Sequence, residues 1–141
     1  MYSTVIKSRH QAVVHLLLHC CLKDGMMQAE ETDAVSEIIA SIQLQKDVHV
    51  KDEIRNYQAY SSSIGDESEY IHHLVRLIRP DKALALFSIC VELCVSDGVI
   101  AASEATLLEK IALALTLEVS ARKAIEDLVL QLQALDNENE F

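Results

Sequence analysis

Apolar residues crowd the start of the chain so densely that only a narrow polar stripe remains. Between Ser3 or Thr4 and Lys23, the polar residues Gln11, His15, His19 and Lys23 stand four apart amid Val, Leu, Ala and Cys. On a helix this spacing gathers them on one side. The pattern predicts a helix over about 3–23 that is apolar nearly all round, as a central helix is. Residues 82–96 read alike, with Asp81, Ser88, Glu92 and Ser96 on the polar side. Pro80 is expected in that helix's first turn, where its missing N–H costs nothing.

Amphipathic runs follow each of these helices. Ala34, Val35, Ile38, Ile39 and Ile42 keep helical spacing up to Leu44; Leu107, Leu108, Ile111, Ala112 and Leu115 do so up to Leu117. Between them, Val48, Ile54 and Tyr57 mark a helix over about 47–61, and Ile71, Leu74, Val75 and Ile78 one over 67–78. The segment from Ser61 to Asp66 is a loop. A last helix over about 119–135 uses Ala121, Ile125, Leu128, Val129 and Leu132, and the acidic tail 136–141 is expected to fray. With three glycines and one proline in 141 residues, the expectation is an all-α domain of seven helices. Leu93 and Ile111 are expected at its centre.

The chain repeats itself. With an offset of 73 and no gap, residues 12–44 align with 85–117, and Ala12/Ala85, Cys21/Cys94, Asp24/Asp97, Gly25/Gly98, Ala29/Ala102, Glu31/Glu104, Ile38/Ile111 and Leu44/Leu117 are identical. The shared Asp-Gly followed by a Glu seven positions after the Asp carries more weight than matched apolar residues, which any two helices share. It predicts two helix–Asp-Gly–helix hairpins related by an approximate twofold, within one domain spanning 1–141. A glycine just past a helix end accepts the left-handed conformation of a helix stop.

Composition narrows the function. The net charge is −10, which argues against a nucleic-acid partner, since that affinity rests on basic patches. An acidic surface suits a cation or a basic partner. The run from Ala12 to Leu22 is too short to span a bilayer, and the N-terminus lacks signal-peptide form. Cys20, Cys21, Cys90 and Cys94 lie in apolar runs without a Cys-x-x-Cys pair, and read as reduced, packed thiols of a cytoplasmic protein.

An apolar helix, Asp-Gly, an apolar pair, then Glu and an Ile/Leu/Ala-rich helix resembles the TerB-like tellurite-resistance family, to which the N-terminal region of DjlA-type co-chaperones is related. Cys94 to Ile100 with Glu104 follow the pattern closely; in the first copy Met26-Met27 replaces the usual branched pair. The resemblance implies an all-helical fold with internal pseudosymmetry, a role in stress responses to tellurite and other toxic agents, metal-ion binding at acidic sites, and no established catalysis. The residues it carries over are Asp24 and Glu31, and Asp97 and Glu104.

Each candidate has a functional and a structural reading. The four carboxylates could hold a hard cation such as Ca²⁺, which takes oxygen ligands, although neither motif is an EF-hand. Equally, Asp-Gly is a helix stop and Glu a dipole partner for the next helix. His15 and His19, at i and i+4, could supply two ligands to Zn²⁺ or Ni²⁺; the plainer reading is a polar stripe facing solvent or another helix. No phosphate loop or nucleophile motif is present. The expectation is a non-enzymatic stress-response protein that binds a divalent cation, a protein partner of a stress-response complex, or both, and that can form a homodimer. The alternative is a scaffold module whose motifs are only helix caps.

Overall fold

In a computed structural model, residues 2–22, 36–37, 39–40, 48–95 and 100–138 are described. They contain seven α-helices, one 3-10 turn and no strand, the all-α architecture that the periodicity predicts. The chain divides into two compact units, Met1–Arg79 and Pro80–Phe141.

The first unit holds α1 (Tyr2–Val5), α2 (Arg9–Leu22), α3 (Val50–Tyr60), the 3-10 turn Ser61–Ser63 and α4 (Glu67–Ile78). Helix α2 packs against α4 and α3, and α1 packs against α3. Nine of the fourteen residues of α2 are buried, His15 and His19 among them, so it is the central helix of this unit. Of the expected second helix, only 36, 37, 39 and 40 are described; they are helical, and Ile39 is buried.

The single helix expected over 3–23 is broken at Ile6–Ser8. The cause is a capping box. The Ser8 hydroxyl accepts from the Gln11 N–H at 3.1 Å, and the Gln11 side-chain oxygen accepts from the N–H groups of Ser8 and Lys7 at 3.2 and 3.0 Å. Amide hydrogens that a helix start leaves without partners are thereby satisfied, and α2 begins afresh at Arg9. Helix α4 occupies the bounds read from its pattern. The Asp66 carboxylate accepts from the Glu69 N–H at its start, and Arg79, in the left-handed region with φ 46°, ends it.

The second unit holds α5 (Ala83–Cys94), α6 (Ala102–Ala114) and α7 (Val119–Glu138), with α5 packed against both α6 and α7. Pro80 does not sit in the first turn of α5, which starts three residues later. It follows the left-handed cap of α4, a place where proline prevents the helix from continuing. The apolar positions read for α6 are all buried: Leu107, Leu108, Ile111, Ala112 and Leu115. Helix α7 differs from expectation. It runs to Glu138, into the segment expected to fray, and buries Val129 while Leu128 and Leu132 stay about half exposed. Gln133 of α7 donates to the Val95 carbonyl at the end of α5, and within α7 Arg122 pairs with Glu126 at 3.1 Å.

Helix α6 ends in a Schellman motif. The Leu117 N–H bonds to the Ala112 carbonyl at 3.0 Å and the Thr116 N–H to the Leu113 carbonyl at 3.1 Å. The residue that turns the chain is Thr116, with φ 55°. A β-branched side chain is strained there, where glycine is at ease. Thr116→Gly is therefore expected to raise stability by roughly 0.5–1 kcal/mol, the relief of strain exceeding glycine's entropic cost. Ile111 is fully buried and Leu93 only half-buried. Ile111→Ala should cost about 2–5 kcal/mol and Leu93→Ala less. Urea denaturation midpoints would check both.

Candidate functional site

Of the four carboxylates carried by the repeat, Asp24, Glu31 and Asp97 lie outside the described residues, as do Gly25 and Gly98. Glu104 is described. It stands in the first turn of α6, half-buried, as the motif requires. Ala101, the residue before that helix, offers no side-chain cap. Among the described residues, no three His, Cys, Asp or Glu side chains are grouped to hold a metal ion. None of Cys20, Cys21, Cys90 and Cys94 is in a disulfide; Cys20, Cys90 and Cys94 are buried and Cys21 is half-buried.

The densest polar chemistry in the described residues is inside the first unit. His15 is completely buried on α2. Its Nδ1 lies 2.6 Å from the Tyr60 hydroxyl and its Nε2 3.2 Å from Glu53 Oε1. One turn on, His19 Nδ1 lies 2.7 Å from the Tyr57 hydroxyl and its Nε2 2.8 Å from Glu67 Oε2. Two Tyr–His–Glu sequences thus run side by side. The Tyr60 and Tyr70 hydroxyls meet at 2.5 Å. All four tyrosines of the chain are in this cluster, since Tyr2 sets its ring edge-on to Tyr70 with centroids 4.9 Å apart. His15 also stacks on Tyr60, with the planes 13° apart.

Glu53 is the charged member, 4% exposed on the first turn of α3. A buried carboxylate is costly unless several donors surround it. It accepts from Gln11 Nε2 at 3.1 Å and from Asn56 Nδ2 at 3.0 Å as well as facing His15. Burial pushes its pKa up, but the bonds from Asn56, Gln11 and His15 outweigh this and hold the carboxyl below its ordinary value. His15 is shifted the other way relative to its charge: burial pushes its pKa down, against the pull of Glu53. Burial also pushes the Tyr60 and Tyr70 hydroxyls up. The group is therefore an ionised carboxylate, a neutral imidazole and two neutral phenols.

The polar stripe of His15 and His19 thus faces other helices. Helical spacing does not single out Glu53, Tyr60 and Glu67, because their histidine partners stand 38 to 48 residues away, and Tyr70 joins the cluster only through Tyr60. One signal was available: Tyr57 and Tyr60 are three apart on α3, a spacing that presents two phenols to one neighbour. Tyr60→Phe keeps the ring but leaves His15 Nδ1 and the Tyr70 hydroxyl each short of a partner. It should cost about 1–3 kcal/mol in chemical denaturation, more than Tyr2→Phe, whose ring contact survives the change.

The family model of the tellurite resistance protein TerB matches residues 10–127. No curated protein and no solved structure matches the chain. The family match takes in both Tyr–His–Glu sequences, on α2, α3 and α4, and both Asp-Gly motifs. With the all-α architecture it settles the assignment: the chain belongs to the TerB tellurite-resistance family.

Proposed function

We propose that this protein acts in a tellurite-resistance-like stress response as a non-enzymatic cytoplasmic binding protein, taking a divalent cation, Ca²⁺ or one like it, at Asp24, Glu31, Asp97 and Glu104. The family match over residues 10–127, which contains all four carboxylates, is the observation that carries this reading. Hard cations are held by oxygen donors, and the protein's net charge of −10 draws them in. The same match crosses from one compact unit to the other, which supports a single family domain. The half-exposed Leu128 and Leu132 on α7 support a protein partner or a second copy of the chain as a further ligand. No helix among the described residues is long and apolar enough to cross a membrane.

A second reading has its own observation. Glu104 stands in the first turn of α6, where a negative side chain offsets the helix dipole and where the preceding Ala101 supplies no cap. On that reading the motifs serve the fold alone and the protein is a scaffold. Calorimetric titration with Ca²⁺, Mg²⁺, Mn²⁺ and Zn²⁺ separates the two. The cation reading expects saturable binding that Asp24→Ala with Asp97→Ala abolishes, and that Glu104→Gln weakens about tenfold or more. The scaffold reading expects no binding, with Glu104→Gln lowering stability by about 0.3–1 kcal/mol.

A further inference from the structure

The hydrogens of the buried cluster can be assigned from one group. An ionised carboxylate only accepts, so the bond between His15 and Glu53 requires the hydrogen on His15 Nε2. A neutral imidazole then has an acceptor at Nδ1, and the Tyr60 O–H donates to it. With its hydrogen committed, Tyr60 can only accept from the Tyr70 O–H. The order is Tyr70 to Tyr60 to His15 to Glu53, every bond directed the same way.

A proton added to His15 Nδ1 cannot coexist with that order. The protonated ring must donate at Nδ1, and the Tyr60 oxygen becomes its acceptor. The Tyr60 hydrogen turns toward the Tyr70 oxygen, and the Tyr70 hydrogen turns away from both. Tyr70 is completely buried, with Tyr57 and Cys20 near it, so the displaced hydrogen gives up its bond to the Tyr60 oxygen in an interior closed to solvent. One proton at His15 thus reorients the bonds joining α2, α3 and α4. We propose that the Glu53–His15–Tyr60–Tyr70 chain is a proton-sensitive lock on the first unit, closed when His15 is neutral and loosened when His15 takes up a proton.

The surrounding groups set its direction. Glu53 and Tyr60 on α3 touch His15 directly, and Tyr57 on α3 sets its ring 6.5 Å away. On α4, Tyr70 reaches His15 through Tyr60, while Glu67 is engaged by His19 of α2. On α1, Tyr2 meets the Tyr60 ring at 6.0 Å. Glu53 favours the protonated ring; burial disfavours it and prevails. With the folded pKa below the ordinary histidine value of 6.5, the unfolded chain binds more protons in the window beneath 6.5. The stabilisation is complete above 6.5 and is lost as the pH falls through that window. Glu53, also depressed from its ordinary value of 4.5, adds a loss of the same sign below 4.5.

The test is made on the full chain in the presence of a chelator, so that it is independent of cation binding. Imidazole ¹⁵N NMR at pH 8 is expected to show His15 in the Nε2–H tautomer, titrating with a midpoint below 6.5. Urea denaturation from pH 8 to pH 5 is expected to show the folding constant falling, by up to about tenfold per pH unit for one proton. His15→Gln, which cannot titrate, should flatten that part of the profile. Glu53→Gln, which removes the favouring charge, should move the His15 midpoint lower. An Nδ1–H tautomer at pH 8, or a midpoint at or above 6.5, would overturn the lock even if neither variant folds. So would a folded His15→Gln protein with the wild-type pH profile.

Discussion

The first unit depends on keeping one buried charge satisfied. Glu53 is 4% exposed, yet it remains ionised because Gln11, Asn56 and His15 point donors at it. Each donor ties the carboxylate to a different part of the structure. Asn56 belongs to α3 itself. His15 belongs to the middle of α2. Gln11 belongs to the capping box that starts α2, and it uses its oxygen for the cap and its nitrogen for Glu53. The break between α1 and α2 and the docking of α3 are therefore supported by the two ends of one amide.

From Glu53 the constraint passes along the tyrosines. His15 can satisfy the carboxylate only with its hydrogen on Nε2, which obliges Tyr60 to donate and Tyr70 to donate in turn. A chain of directed bonds of this kind specifies a packing more sharply than apolar contact, because any misplaced member leaves a buried group without a partner. His19 repeats the arrangement with Tyr57 and Glu67 one turn along α2. The second unit is built differently. Its core is apolar, with Phe87, Leu107, Leu108 and Ile111 buried, and the Gln133 side chain closes the end of α5 at the Val95 carbonyl. The two compact units thus rest on different chemistry.

Much of the secondary structure was legible in the residues. The bounds of α4, the buried stripe of α6 from Leu107 to Leu115 and the place of Glu104 in the first turn of α6 all follow from periodicity and capping, which act over a few residues. Less local features were not. The Ser8–Gln11 box is itself a local signal, but the dense apolar run around it suggested one continuous helix. Leu128 and Leu132 share helical spacing with Val129 and Ile125, which predicts them inward. The structure turns α7 on Val129 and Gln133 instead, since the choice of face belongs to the neighbour as much as to the helix.

The sequence by itself determined that the chain is helical, roughly where most of the described helices lie, which family it belongs to and which four carboxylates the repeated motif sets apart. Those are properties of local spacing and of pattern. Only the tertiary structure decided that His15 and His19 are the centre of a buried polar network and not an exposed stripe. Their partners, Glu53, Tyr57, Tyr60 and Glu67, stand 38 to 48 residues away. A hydrogen bond at 2.6 to 3.2 Å is a relation between positions in space, and periodicity along the chain carries no record of it.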